Sequence, residues 1–331
     1  MSRGGPLKEL VVELASALRE QVLPLLGEHA GRAQGAQGAG GDITFAIDRE
    51  AERFLERYLR ERAPDIAYYS EDRGLVLPSS AAASALPESP SKEIPVLLVD
   101  PVDGTRPALA GLESCCVSVA AAPLGDGHPT MGDVVAGAVV EIKSGAAFVA
   151  ERGRGLDLRD GDGRALEPAL STNAELSRMF WTTGFRGRPA VPLAEMLEEL
   201  IDTSSVGGGF FDLGSACFDM TRIATGQLDA YVDVGSRMID EIPALRERFQ
   251  QVGGGAVLNN SPYDLAAAAL CLQEAGAVVT DAWGHPLDGR PLLGSGHEYQ
   301  MSCLAASNSS LHSQLVSAAE RGIERLRARF N

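Results

Sequence analysis

Apolar residues recur at helical spacing near the start of the chain. Leu7, Leu10, Val11, Leu14, Leu18, Val22 and Leu25 fall on one face and predict an amphipathic helix packed on a core. A Gly-, Ala- and Gln-rich stretch at 31–41 reads as a loop, and Ala51, Phe54, Leu55, Tyr58 and Leu59 predict a second amphipathic helix near 48–62. Residues 77–93, rich in Pro, Ser and Ala, read as a mobile surface excursion. The pattern then changes. Val96-Leu97-Leu98-Val99 is a continuous apolar run, which suits a strand buried on both faces. Further strands are expected near 114–122, 133–142, 145–151 and 178–184, with a helix over 190–203. Gly214 to Met220 opens an apolar helix, and Asp229 to Gly235 reads as a strand ending in acid and glycine. This alternation predicts a layered α/β or α+β architecture, with an N-terminal half over 1–170 and a C-terminal half over 171–331.

The chemistry concentrates where the strongest strand ends. Asp100-Pro101-Val102-Asp103-Gly104-Thr105 places two carboxylates beside a proline that cannot donate to a sheet ladder and a glycine that permits positive φ. The chain is therefore expected to turn there and bring Asp103 back beside Asp100. Two carboxylates that close repel each other unless a cation lies between them. With the Val102 carbonyl they make an all-oxygen set, which favours Mg²⁺ or Mn²⁺ over Zn²⁺. A helix starting near Thr105 would aim the N–H groups of Gly104, Thr105 and Arg106 at a phosphate. Haloacid-dehalogenase-type phosphatases also end a strand with acids followed by Gly-Thr, but with one residue between the acids. Here there are two, which changes the direction of a side chain on an extended segment. Asp100 is accordingly not read as a phosphorylated nucleophile.

Composition narrows the partners. A net charge of −16 opposes nucleic-acid binding and would repel a phosphorylated substrate unless bound metal reversed the local field. No 18-residue apolar span or secretory signal is present, so a cytoplasmic protein without membrane contact is expected. The five cysteines lack ligand spacing and read as buried reduced thiols. His29, His128, His285, His297 and His312 form no pair at metal or triad spacing and read as surface or loop positions.

Asp100-Pro-Val-Asp-Gly-Thr105 resembles the first signature of the inositol monophosphatase family, within the fructose-1,6-bisphosphatase-like superfamily. Tyr68-Tyr69-Ser70-Glu71-Asp72 resembles the segment that delivers a metal-binding glutamate, which makes Glu71 a third ligand. Asp42 to Glu52 resembles the helix start whose aspartate hydrogen-bonds the catalytic threonine, a role that falls to Asp48. Ser261-Pro262-Tyr263-Asp264, followed by Glu274-Ala275-Gly276, resembles the second signature, with Asp264 as the fourth ligand. The resemblance implies an α+β layered sandwich of alternating α and β layers. It implies two or three Mg²⁺ ions, held by Glu71, Asp100, the Val102 carbonyl, Asp103 and Asp264. Water activated on the Glu71 side, positioned by Thr105 and Asp48, would attack the phosphorus in line. Lithium sensitivity and a homodimer are also implied.

Substrate-facing features are expected in the second half. Family members place substrate contacts at positions matching Ser215 and Asp233, which here could hydrogen-bond sugar or cyclitol hydroxyls together with Asp103. Two departures stand out: Arg106-Pro107 follows Thr105 without the usual polar-aromatic pair, and Ser236 to Asn260 lengthens the path from Asp233 to Asp264. That insertion reads as a surface helix with a glycine hinge, or as a cover whose Arg237, Arg246 and Arg248 would grip a second phosphate. Arg186 and Arg188 are further candidates. The chain thus reads as a Mg²⁺-dependent phosphomonoesterase acting on a small phosphorylated polyol or sugar, inositol monophosphate first. Fructose 1,6-bisphosphate and a phosphoadenosine nucleotide are the alternatives. A non-catalytic metal-dependent phospho-ligand binder is the reading from another class.

Overall fold

The computed structural model describes residues 4–28, 34–37, 43–78, 94–125 and 128–330. Most of the predicted 77–93 excursion, and His29, lie outside the described residues. The first helix, α1 (Gly4–Val22), forms as the spacing predicts. Within the stretch read as a loop, β1 (Gln34–Gln37) pairs antiparallel with β2 (Ile43–Phe45). Helix α2 (Ala46–Arg62) follows directly.

An eight-stranded sheet fills the first half. Its strands are β3 (Ala67–Ser70), β4 (Gly74–Val76), β5 (Pro95–Asp103), β6 (Cys116–Pro123), β7 (Ala136–Glu141), β8 (Ala147–Glu151), β9 (Leu156–Arg159) and β10 (Ala165–Leu166). They lie in the order β10-β9-β8-β7-β6-β5-β3-β4. A five-stranded sheet fills the second half, with β11 (Phe180–Thr182), β12 (Gly209–Phe211), β13 (Ala230–Asp233), β14 (Val278–Thr280) and β15 (Cys303–Ala306) in the order β12-β11-β13-β15-β14. The helices after α2 are α3 (Thr105–Ala110), α4 (Ala190–Ser204), α5 (Ala216–Ala224), α6 (Gly235–Glu241), α7 (Leu245–Val252), α8 (Pro262–Glu274) and α9 (Ser309–Phe330).

Period-two alternation sorts the strand residues between three cores. On β5, Leu97 and Val99 pack with Leu14 and Leu18 of α1 and Leu55 of α2, whereas Val96 and Leu98 face α5 and α8. On β15, Cys303 and Ala305 join that same middle core, and Leu304 and Ala306 face Leu197 of α4 and Leu315 of α9. The layers therefore run helix, sheet, helix, sheet, helix. The central helices explain their own composition: α8 is buried on nearly all sides, and its alanine run lets it pass between two sheets. At Gly137 on β7 an added Cβ would stand 3.0 Å from the Ala267 Cα, so small residues on both sides set this close approach.

The insertion after Asp233 folds as two short helices, α6 and α7, with Met238, Ile239, Leu245 and Phe249 buried in the third core. All five cysteines are buried and unbridged. His312 differs from its expected surface position: it is buried on α9, hydrogen-bonded to the Thr280 hydroxyl at 2.8 Å, because the helix turns it toward the smaller sheet.

Candidate active site

The site gathers at the end of β5. Asp100 pairs with Ser118 and Asp103 with Cys116, so three steps on β5 match two on β6. This is a bulge of one extra residue. It replaces the expected turn between the two acids: β5 continues through Asp103, and the chain turns only at Gly104. The bulge is what aligns the acids, since residues three apart on a regular strand point to opposite faces. The Asp100 carboxylate accepts from the Val102 N–H at 3.0 Å, which holds the bulged segment. Gly104 then adopts φ 86° and starts α3. A Cβ there would meet the Ser114 carbonyl oxygen at 2.6 Å, so both conformation and space demand glycine.

Asp264 arrives from α8. Ser261 caps that helix, Pro262 opens it, and the Asp264 carboxylate accepts from the Ser261 N–H at 2.6 Å. Carboxylate oxygens of Asp100, Asp103 and Asp264 lie within 4.8 Å of one another. Glu71, in the turn after β3, lines the same pocket but stands outside that cluster. Asp103 is tethered through one oxygen, which accepts from the Ser215 hydroxyl at 2.8 Å and the Cys217 N–H at 2.7 Å. Both donors sit at the start of α5.

The electrostatics show what this cluster requires. Burial, then the charges of Asp103, Glu71 and Asp264, push the Asp100 carboxyl well above the ordinary carboxylate range. Burial also raises Asp103, opposed by its two tethers and by Arg186. Acids this crowded ionise fully only with compensating cations. The donor set is wholly oxygen, and Glu71, Asp100, the Val102 carbonyl, Asp103 and Asp264 fit hard divalent cations.

Beside the cluster, Thr105 donates to Asp48 Oδ1 at 3.1 Å and approaches the Val102 carbonyl at 3.2 Å. The other Asp48 oxygen accepts from the Phe45 N–H at 2.7 Å at the start of α2. Gly104, Thr105 and Arg106 line the pocket, with the Arg106 guanidinium 5.5 Å from the centre of the Phe45 ring. Arg186 lines it as well.

Three sequence-predicted substrate contacts take other places. Arg237 is 1% exposed, donates to the Ala282 carbonyl at 2.7 Å, pairs with Glu320 and lies over Trp283. The α6 helix aims it into the packing against α9, away from the pocket lining. Asp233 is sealed behind the pocket wall, bonded by Arg188, the Asn260 amide at 2.9 Å and the Gly235 N–H at 2.9 Å. Ser215 lines an adjoining pocket, but its hydroxyl is spent on Asp103 and on capping α5. Arg246 and Arg248 are exposed on α7. Asn259 and Gln300, which sequence reasoning passed over, line the pocket instead. Only the nearness of Asn259 to the Ser261–Asp264 motif hinted at it, and Gln300 carried no local signal.

The comparisons agree with this geometry. The model of the inositol monophosphatase family matches residues 6–324. A fructose-1,6-bisphosphatase/inositol-1-monophosphatase of Methanothermobacter thermautotrophicus is 28% identical over 316 residues, covering 95% of this chain and 96% of that protein. An inositol-1-monophosphatase of Mycobacterium bovis is 28% identical over 282 residues, covering 82% and 81%. Among solved structures, an IMPase of Thermotoga maritima superimposes with a TM-score of 0.65 at 21% identity, covering 96% of this chain and 98% of that one. Five layers of alternating helix and sheet, an acid cluster at a bulged strand end and a family match over nearly the whole length lead to one conclusion: the chain belongs to the inositol monophosphatase family, whose members are phosphoric monoester hydrolases.

Proposed function

We propose that this phosphatase hydrolyses the phosphate monoester of a small polyol or sugar, with inositol monophosphate as the leading substrate and Mg²⁺ as the working cation. The observation that carries the reading is the convergence of Asp100, Asp103 and Asp264 within 4.8 Å in a pocket that Thr105 also lines, its hydroxyl bonded behind the pocket to Asp48. A pocket that only bound phosphate would have no use for a hydroxyl oriented by a carboxylate at its edge. Divalent cations at this cluster would supply Lewis-acid polarisation of the phosphoryl group and acidify a water.

The protein's own groups account for the rest. Glu71, Asp100, the Val102 carbonyl, Asp103 and Asp264 would hold the cations. Asp48, anchored on the Phe45 N–H, fixes the Thr105 hydroxyl, and Thr105 positions the attacking water and passes its proton toward Asp48. Backbone N–H groups of Gly104, Thr105 and Arg106, with the Arg106 side chain, receive the phosphoryl oxygens. Arg186 and Asp103 face the departing alcohol. Lithium sensitivity and a homodimer follow as expectations of the family resemblance, and a cytoplasmic location as the expectation from composition. Among the described residues no helix is long and apolar enough to cross a membrane.

Phosphate release from inositol monophosphate, fructose 1,6-bisphosphate, sugar monophosphates and phosphoadenosine phosphate, with Mg²⁺ and with EDTA, tests the reading. Turnover that needs Mg²⁺ and favours inositol monophosphate upholds it. A preference for the bisphosphate or the nucleotide replaces the substrate, and metal binding without release from any of them makes the protein a phospho-ligand binder.

A further inference from the structure

The pocket wall contains hydrogen-bonding capacity that none of the described residues uses. Asn259 is 7% exposed, and among the described residues neither its amide nitrogen nor its oxygen has a partner. Gln300 is 4% exposed; its nitrogen donates to the Val257 carbonyl at 2.7 Å, and its oxygen has no partner. Both line the pocket that holds Asp100, Asp103 and Thr105, and Asn259 extends into the adjoining pocket lined by Ser215 and Asp264. Buried polar atoms cost free energy unless they are paired, so such atoms at a pocket wall call for a ligand to complete them.

The arrangement is built rather than incidental. A Cβ at Gly235 would stand 2.2 Å from Asn259 Oδ1, so the absence of a side chain at Gly235 makes room for the carboxamide. The Gln300 amide is pinned by Val257, two residues before Asn259, and the Met301 N–H donates to the Asn260 carbonyl at 2.9 Å. These contacts tie the end of the inserted segment to the 300 loop. Meanwhile Asp233, the acid that the resemblance assigns to substrate, has its capacity consumed by Arg188, Asn260 and Gly235.

We infer that Asn259 and Gln300 determine leaving-group specificity, and that they select a neutral alcohol carrying further hydroxyls over a second phosphate or an apolar group. This rests on the phosphomonoesterase reading above. The unused atoms are two acceptors, Asn259 Oδ1 and Gln300 Oε1, and one donor, Asn259 Nδ2. Hydroxyls donate and accept, so a polyol satisfies all three. A second phosphate brings only acceptors: Arg186 and the Asn259 amide would receive it, but both carbonyl oxygens would stay unpaired beside its negative oxygens. An apolar leaving group would leave all three dry and unpaired.

The test compares two substrates on the Mg²⁺-loaded enzyme: inositol 1-phosphate, whose leaving group is rich in hydroxyls, and phenyl phosphate, whose leaving group has none. Asn259→Ala is expected to lower kcat/KM on inositol 1-phosphate about tenfold, the worth of one such bond in a dry site, mainly through KM. On phenyl phosphate it should change by less than about twofold on the same argument. Asn259→Leu, nearly isosteric and uncharged, covers the case in which the alanine variant does not fold, and the same contrast is expected because the amide donor and acceptor are both lost. Equal losses on both substrates assign Asn259 a structural role and overturn the inference, as does no loss on either. Wild-type preference for fructose 1,6-bisphosphate that survives Asn259→Ala also overturns it. Wild-type silence on every substrate instead removes the phosphatase reading, and the inference with it.

Discussion

The Thr105 hydroxyl and the Asp48 carboxylate meet at 3.1 Å, joining the first turn of α3 to the first turn of α2 across 57 positions of sequence. Asp48 is held in turn by the Phe45 N–H, so the hydroxyl is oriented by a carboxylate that cannot swing away. Thr105→Val keeps the shape and removes the proton path. It is expected to lower kcat by about 10²–10⁴, the range for loss of general acid–base assistance, with Mg²⁺ affinity unchanged by calorimetric titration. A matched fall in metal affinity would instead make Thr105 part of the cation site.

Gly104 makes the geometry of Asp103 and Thr105 possible. Alanine there would adopt φ near 86° and push its Cβ to 2.6 Å from the Ser114 carbonyl oxygen and 2.9 Å from the Ser215 side chain. The left-handed backbone alone costs about 1–2 kcal/mol, and the contact adds to it. Gly104→Ala is therefore expected to lower the urea midpoint and to reduce kcat more than a comparable loss of stability would, because Ser215 tethers Asp103. Unchanged kcat would show that the strand end can relax without moving the acids.

Glu52 gives the fold a pH dependence. It is 4% exposed on α2, and burial, aided by the Asp72 charge, raises its carboxyl to about 7. In the unfolded chain it titrates near 4.5. Between those values the folded state holds a proton that the unfolded state has released, so stability falls as pH rises through this window. The full effect is about 3 kcal/mol by the usual conversion. In EDTA, Glu52→Gln should match wild type at pH 4.5 and melt higher at pH 8. Parallel pH profiles for the two proteins would exclude Glu52 as the source.

Arg188 and Asp233 form a buried pair, 7% and 1% exposed in their side chains. Asp233→Ala leaves a buried guanidinium uncompensated and is expected to cost about 3–5 kcal/mol. Replacing both, as Arg188→Met with Asp233→Leu, should recover most of that loss. Chemical denaturation of the three proteins measures the difference. A stable single variant that loses only substrate affinity would return Asp233 to the role of a substrate contact.

Local chemistry made the centre of the site legible. Asp100, Asp103, Gly104 and Thr105 form one contiguous strand end, and Asp264 belongs to a helix start with its own capping signals. The resemblance located Glu71 and Asp48, each in the turn or helix start where the structure has it. Arg237, by contrast, could be assigned only as a cation in an insertion. Whether it faced substrate depended on which face of α6 met α9, and Glu320, 83 positions later, settled that.

The sequence by itself determined the alternation of helices and strands, the strand end that carries Asp100, Asp103 and Thr105, and the helix start that carries Asp264, because each depends on neighbours within a few residues: apolar periodicity, a strand end, a cap. Tertiary structure alone decided that a one-residue bulge, not a turn, aligns Asp100 with Asp103, since the bulge exists only relative to β6. It alone sealed Asp233 behind Arg188 and left Asn259 and Gln300 at the pocket wall. Those outcomes depend on which distant groups reach a buried hydrogen-bonding atom first, and that competition is resolved only when the layers pack.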